Sequence, residues 1–372
     1  MLSYQIETAL VMAAVAAACA VPGVFLVLRR LAMTGDAIGH VLLLGIVLAY
    51  FVVRDLSSPW LLLGAAASGV AAVALVELLQ RSKLVKQDAA LGLVFPALFG
   101  LGVILATMYL RNTHLDGDAV LLGSAELAGL DRIEIGGVDL PHALVVMGGV
   151  FLFNAAAVAM FFKELKLGTF DPALAATLGF APAAVHYGLM TAVSLTTVAA
   201  FDAVGPVLVV AFLVVPAATA SLFTDRLGVL LVLSVVVAVA AAVAGACLAM
   251  LPAMNTNIAG TAASLLGAVF AVGWLVAPDR GLVAQAARRW RQRRAFHEAM
   301  LAIHLLQHEG TAAEADESRE AGLHRHFRWG PDEIAAVVRR AERNGLVTRA
   351  GSLLRLTDRG RTKAREVLGS AA

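Results

Sequence analysis

The chain has 372 residues, of which 60% are hydrophobic and only 15% are charged. This balance excludes a soluble globular protein, which would expose far too much apolar surface, and indicates a protein that crosses a membrane many times. The charge is uneven, because 17 of the 29 Lys and Arg residues lie from Arg288 onward. We therefore expect a membrane domain followed by a basic domain in water.

Eight apolar runs follow one another along the chain, and most have the length of one membrane span. The sixth is too long for one straight crossing and holds Asp202, Gly205 and Pro206 near its middle. It is either two spans or one span plus a broken or re-entrant piece. The membrane part is therefore an all-α polytopic fold with eight or nine transmembrane helices. The runs are approximately 6–28, 33–53, 58–80, 89–110, 141–162, 186–223, 227–251 and 258–278.

Basic residues predict the orientation, because short cytoplasmic loops carry an excess of Lys and Arg. Alternating crossings place every basic loop inside if the sixth run is two spans, which favours nine. The amino terminus is then outside and the carboxyl terminus cytoplasmic, in a multi-pass protein of the cytoplasmic (inner) membrane. The inside residues are Arg29, Arg30, Arg81, Lys83, Lys86, Lys163, Lys166, Arg226 and those from Arg280 onward.

The second apolar run contains two ionisable residues, Asp36 and His40, four positions apart and so on one helical face. Ionisable groups inside a span are costly and usually mark a pathway or a site. The same helix carries three glycines, Gly35, Gly39 and Gly45, whose missing side chains let another backbone or an ion come close. A carboxylate and an imidazole suit Mn²⁺, Fe²⁺ or Zn²⁺. The alternative is a buried Asp–His ion pair or a cap at the start of the helix.

The loop 111–140 is acidic and is predicted to lie outside, where it would draw cations to a pore mouth or dock a delivery protein. His114 and Asp116 alternate like one face of a strand and form a weak candidate for an outer metal or docking site. An ordinary solvated loop is the alternative for each carboxylate.

Two inside loops are candidates for docking a cytoplasmic partner, although either could be a simple tight loop. In 163–180, Asp171 is placed to cap a short helix, Pro172 suits its first position and Gly179 can end it. The second loop, 216–226, follows a dense apolar run and ends in a polar turn.

The sequence divides into a transmembrane domain (1–280), a basic juxtamembrane linker (281–294) and a cytoplasmic domain (295–372). The linker would favour anionic membrane lipid. For the last domain, the sequence predicts helices at 295–308 and 330–345, a hairpin at 346–356 and a final helix. Together these elements make a small winged-helix-like α+β domain.

Three histidines of this domain, His297, His304 and His308, share one helical face and are candidates for cytoplasmic metal sensing. Solvated surface histidines are the alternative. His324 and His326 follow later in the chain.

Several segments in order resemble the membrane permease subunit of an ATP-binding-cassette importer for manganese, zinc or iron. The family usually has Ser before the pathway His and Leu-Pro-Gly after it, where this chain has Gly39 and Leu43-Leu44-Gly45. The matching segments are Arg29-Arg30, Gly35 to Ile46, His114 to Gly123, Phe170 to Gly179, Val204 to Val210 and Val215 to Ala220.

This resemblance implies that Asp36 and His40 line the pathway and coordinate the ion transiently, with no tightly bound cofactor. It implies a second permease, identical or paralogous, a metal-binding solute-binding protein outside and an ATP-binding subunit inside. No Gly-x-x-x-x-Gly-Lys-Ser/Thr sequence occurs in the chain, so we expect a transporter subunit and not an ATPase. The expected contacts with the ATP-binding subunit are Asp171, Pro172, Leu178, Gly179, Ala217, Thr219 and Ala220.

The tail, from Ile334 to Gly360, resembles the winged-helix part of metal-dependent iron or manganese repressors. We do not expect it to bind nucleic acid, because a domain tethered to a membrane meets DNA poorly. Two rival functions remain at this point: a gradient-driven metal carrier or channel, and a membrane-anchored metal-responsive regulator.

Overall fold

The computed structural model describes residues 2–55, 58, 60–109, 128, 131–135, 137–252, 254 and 256–370. The chain divides into two compact units, Met1–Gly281 and Leu282–Ala372. Each unit has a hydrophobic core of its own.

The first unit is a bundle of long apolar helices, which confirms the prediction of a polytopic helical membrane protein. Within the described residues, eight helices are long and apolar enough to cross a membrane. They are α1 (Leu2–Leu28), α2 (Ala32–Val53), α3 (Trp60–Arg81), α4 (Gln87–Tyr109), α5 (His142–Met160), α8 (Pro182–Val204), α10 (Leu227–Ala249) and α11 (Ile258–Val276). Two short helices, α6 (Phe162–Phe170) and α7 (Pro172–Thr177), lie between α5 and α8.

The long sixth apolar run is two helices, because α8 ends at Val204 and α9 (Pro206–Ser221) begins two residues later. Gly205 between them has a φ of 82°, a left-handed conformation that glycine adopts without a steric penalty. Pro206 suits the first position of the new helix, since its missing N–H has no intrahelical partner there. At 16 residues, α9 is shorter than the ~20 residues of a full span, so the run is one complete span followed by a shorter apolar helix.

Helix α1 lies at the centre of the bundle, and small residues let its neighbours approach closely. It packs against α5, α8, α9 and α10. A Cβ on Gly23 would overlap the carbonyl oxygen of Leu213 in α9. The buried Asn154 of α5 donates its amide to the carbonyl of Ala18 at 3.1 Å and to Thr196 Oγ1 of α8 at 2.8 Å. One polar side chain therefore links three helices inside the apolar core.

Polar contacts group the loops at the two ends of the bundle. Arg29, after α1, donates to the Thr169 hydroxyl of α6 at 3.1 Å. Arg280 pairs with Asp225 in the loop between α9 and α10. Elsewhere, Glu7 near the start of α1 pairs with Arg132 of a small antiparallel hairpin, β1 (Arg132–Ile135) and β2 (Val138–Pro141). Side chains that are distant in sequence therefore connect the loops and helix ends of this unit.

The second unit is a small domain of helices and one hairpin around its own apolar core. Its elements are α12 (Leu282–His308), α13 (Glu314–Glu317), a 3-10 helix (Glu320–Arg325), α14 (Pro331–Arg343), β3 (Val347–Ala350), β4 (Leu353–Leu356) and α15 (Asp358–Ser370). The strands pair antiparallel with Val347 opposite Leu356, and the turn uses Gly351 at φ 66°. Thr357 caps α15 by accepting the N–H of Gly360 at 3.0 Å.

Two details of this unit go beyond the sequence predictions. The basic linker 281–294 is helical from Leu282, because α12 begins there and continues through it. The region 309–329, for which the sequence analysis predicts no element, contains α13 and the 3-10 helix, and its Leu323 and Phe327 are buried in the core. The apolar residues of this polar-looking segment are too sparse to show periodicity in the sequence.

We predict that Gly23→Ala reduces the yield of folded protein, because the added Cβ meets backbone that cannot rotate away. The measurement is the monodisperse fraction after detergent extraction, together with its melting temperature. Gly267→Ala in α11 is the matched control, since a Cβ there has open space. Equal melting temperatures for the two variants would contradict the close packing of α1 on α9.

Candidate functional site

Asp36 and His40 lie together on one face of α2. Asp36 Oδ1 is 3.6 Å from His40 Nε2, and the two side chains are 45% and 44% exposed in the single chain. Neither alternative from the sequence fits this arrangement. The pair is not buried, and Asp36 lies past the first turn of a helix whose N-cap is Leu31 without a side-chain cap.

Two aromatic rings of α4 hold the imidazole of His40. Phe95 stacks on it with ring centroids 5.8 Å apart, and Phe99 meets it edge-on at 5.7 Å. Phe95 therefore lies against one face of the imidazole, and the Nε2 atom is the nitrogen near Asp36. The arrangement positions the imidazole without using its capacity to bind a ligand.

The glycines of α2 serve close packing on its other faces. A Cβ on Gly39 would overlap the ring of Phe201 in α8, and one on Gly45 would overlap the backbone of Gly64 and the hydroxyl of Ser68 in α3. Helix α2 therefore packs closely against α3 and α8 on its glycine-bearing faces, while the face with Asp36 and His40 remains exposed.

The pair is chemically an incomplete metal site. Within the described part of the chain, no group of three or more His, Cys, Asp or Glu side chains is arranged to hold a metal ion. One carboxylate and one imidazole supply two of the four or more ligands that Mn²⁺ or Zn²⁺ takes. The remaining ligands would have to come from water or from another chain.

The exposure of the pair also restricts what can cover this face. An ionisable side chain within a span is costly, and such residues face protein or a water-filled cavity. Since the Asp36 and His40 side chains are nearly half exposed, this face of α2 is suited to a second protein surface or an aqueous route, and poorly suited to lipid.

A second polar cluster joins α1, α3, α6 and α8, and sequence reasoning missed it. His186 Nε2 lies 2.7 Å from Glu77 Oε1, and the Tyr187 hydroxyl donates to Glu77 Oε2 at 2.6 Å. Arg29 approaches the other ring nitrogen of His186 at 3.5 Å. Glu77 and His186 also line a cavity of about 150 Å³ that reaches Thr34 of α2. Glu77 inside the apolar run 58–80 was the signal that could have revealed the cluster.

The outer candidates, His114 and Asp116, lie outside the described residues. Nearer the hairpin, Arg132 pairs with two carboxylates, those of Glu7 and Asp139, so the acidic character of the loop 111–140 is partly compensated.

Of the two loops predicted to lie inside, one exposes its candidate residues and the other buries them. Asp171 caps α7 by accepting the N–H of Leu174 at 2.9 Å, Pro172 begins the helix, and Gly179 follows it at φ 86°. Leu178 is exposed, as are Phe170 and Leu174.

The three residues expected as contacts in the second loop belong instead to α9 and are buried. Ala217, Thr219 and Ala220 are at most 3% exposed, and Thr219 donates its hydroxyl to the carbonyl of Val215. They pack against other helices of the same chain, so we no longer propose that these side chains contact a partner. The apolar run around them was a sign of burial that the docking hypothesis did not take into account.

The tail histidines separate into two places. His297 lies 3.4 Å from Glu333 and packs on Trp329. His304 and His308 instead contact each other and His326, with ring centroids 4.6 Å, 5.0 Å and 6.4 Å apart.

Comparison with known proteins adds a family match and close relatives. The profile described as "ABC 3 transport family" matches residues 1–276. The zinc transport system membrane protein TroD of Treponema pallidum is 46% identical over 354 residues, covering 95% of this chain and 96% of the relative. The manganese transport system membrane protein MntD of Bacillus subtilis is 42% identical over 275 residues, covering 74% and 92%.

A solved structure shares the fold of the membrane unit. It is described as PsaBC from Streptococcus pneumoniae in complex with Fab, and it matches with a TM-score of 0.62 and 25% identity, over 74% of this chain and 93% of that one. The TroD match is long enough to extend into the tail, whereas the other two matches have about the length of the membrane unit.

We predict that Tyr187→Phe lowers the melting temperature of the purified protein, because Glu77 loses a hydrogen bond in a half-buried place. A typical loss is about 1 kcal/mol. Tyr109→Phe is the matched control, since Tyr109 is exposed at the end of α4 and contacts Phe51 through its ring. The idea that the Glu77 cluster stabilises this end of the bundle fails if both variants melt like the parent.

Proposed function

The chain belongs to the ABC 3 transport family, and on this premise we propose that it is the permease subunit of an ATP-binding-cassette importer that carries Mn²⁺ or Zn²⁺ across the cytoplasmic membrane. The names of TroD and MntD, a zinc and a manganese transport protein, support this ion class. Eight candidate spans within the described residues support a multi-pass permease.

The observation that carries the proposal is the open Asp36–His40 pair on α2. A carboxylate and an imidazole replace part of the hydration shell of a divalent ion without enclosing it. Such partial coordination suits passage, because conduction needs release as well as entry. The stacking on Phe95 keeps the imidazole in position for each passing ion.

A second permease chain completes this pathway in our proposal. The pair supplies only two ligands and is nearly half exposed, so a facing chain both covers it and offers further ligands. An outer metal-binding protein delivers the ion, and His114 and Asp116 remain candidates for an outer metal or docking site.

Energy comes from a separate ATP-binding subunit, which we place against α6 and α7. This chain has no phosphate-binding loop of its own. The segment exposes three apolar side chains, Phe170, Leu174 and Leu178, next to the capped helix of Asp171 and Pro172. A rigid short helix with an apolar surface can transmit force from a bound partner. Arg29 ties α6 to the end of α1, which connects this segment to the centre of the bundle.

We place the inside loops and the tail in the cytoplasm. The basic residues of the loops after α1, α3 and α9 support this orientation, as does the basic start of α12. For the domain 295–372 we propose a winged-helix-like fold, supported by helices α12 and α14 followed by the β3–β4 hairpin and α15. Its role in our proposal is to serve the transporter.

We predict that Asp36→Ala and His40→Ala each reduce uptake of ⁵⁴Mn or ⁶⁵Zn by more than about tenfold, because the ion loses a ligand where it is least hydrated. Uptake is measured in cells or in liposomes that contain the complete transporter. His142→Ala is the matched control, since that histidine also pairs with a carboxylate, Asp131 at 3.3 Å, but lies at the outer end of α5. Normal uptake in both α2 variants would remove the pathway assignment.

We predict that Leu174→Asp and Leu178→Asp weaken ATP-driven transport, since each places a charge in the proposed apolar contact with the ATP-binding subunit. Transport per ATP hydrolysed and co-purification of the two subunits are the measurements. Ala173→Ser, on the same exposed helix, is the control. If uptake continues without any ATP-binding subunit, the gradient-driven alternative replaces the importer.

A further inference from the structure

Three imidazoles and one carboxylate come together in the tail unit. His304 and His308 lie one turn apart near the end of α12, Glu317 is the last residue of α13, and His326 follows the 3-10 helix. The four residues therefore come from three separate segments, which the fold brings to one place.

The donor atoms of this cluster lie close together, although they are not already arranged around one ion. Glu317 Oε2 lies 2.6 Å from His326 Nε2 and 3.5 Å from His304 Nε2. Two ligands of a tetrahedral ion, each about 2.0–2.2 Å from it, lie about 3.3 Å apart. Small rotations of the Glu317 and His326 side chains would equalise these distances around one ion.

His308 is oriented by its own helix. Its Nδ1 lies 2.9 Å from the carbonyl oxygen of His304, a contact that suits an N–H at this nitrogen. The Nε2 atom of the same ring is then the one with a lone pair for a ligand. Hydrogen bonding of the second ring nitrogen to a carbonyl is the usual arrangement of metal-binding histidines.

The centre of the cluster is shielded from solvent. His304 is 8% exposed and packs against Phe327, and its Nε2 lies 3.3 Å from the carbonyl oxygen of Glu317. Glu317 Oε2 is buried without a hydrogen-bond partner that satisfies the usual geometry, so the cluster has an acceptor that a cation would use.

We propose that His304, His308, Glu317 and His326 form a divalent-metal site in the tail, assembled when an ion replaces the direct Glu317–His326 contact. Three nitrogens and one oxygen suit Zn²⁺ better than Mn²⁺, which prefers more oxygen ligands. By joining α12, α13 and the segment after the 3-10 helix, the bound ion stabilises this side of the unit. The use of the site to report imported metal and slow further uptake rests on the proposed transport function, whereas the binding itself does not.

The test uses Co²⁺ as a spectroscopic substitute for Zn²⁺, added to the full chain in detergent. The chain carries Asp36→Ala and His40→Ala, so that the pathway ligands are removed. We expect visible absorption bands of four-coordinate Co²⁺ at one equivalent, displaced by Zn²⁺. His326→Gln and His304→Ala should weaken the affinity by about tenfold or more. His297→Ala is the matched control, because His297 contacts Glu333 and Trp329 instead.

Two further measurements distinguish a loss of metal binding from a loss of folding, and the metal site from the proposed transport function. Zn²⁺ should raise the melting temperature of the parent chain but not that of His326→Gln, whose side chain is 40% exposed and tolerates replacement. Co²⁺ bands that persist unchanged in both cluster variants, or no Co²⁺ bands in the parent, overturn the metal site. If Co²⁺ binds to the tail as expected but the complete transporter with the unaltered chain carries no metal, the proposed function is overturned and the site stands.

Discussion

The cost of an ionisable pair inside a membrane span is the constraint on which the rest of the membrane unit depends. Asp36 and His40 are kept on an open face of α2, although the surrounding sequence is apolar. The helix has two different faces. On one face, glycines allow close packing against α3 and α8; on the other, two aromatic rings of α4 contact the imidazole of His40. The polar face is thus presented to a partner or to water by packing that holds the helix from behind.

The helical plan of the membrane unit was largely predictable, because hydrophobic length is a local property of the sequence. The break in the sixth apolar run was also readable, since Gly205 and Pro206 stand where one helix must end and another begin. Asp36 and His40 could be identified because ionisable groups are rare in such runs.

Features that depend on distant partners could not be predicted in the same way. Glu77 meets Tyr187 across 110 positions of the chain, and no spacing rule connects residues so far apart. The burial of Ala217 and Ala220 is set by neighbouring helices and not by their own segment. In the tail, the sequence places His297 and His304 on one helical face, but in the fold His304 contacts His326. The segment before His326 has no clear hydrophobic periodicity, so this contact could not be read from the sequence.

Helix α4 is anchored differently from the helices around α1. Asn154 fastens α1, α5 and α8 by hydrogen bonds inside the large core, so these three helices resist sliding past one another. By contrast, α4 packs on α2 and α3 through a small apolar cluster of its own, separate from that core. Since the rings of Phe95 and Phe99 belong to α4, any displacement of α4 from α2 would draw both rings away from His40.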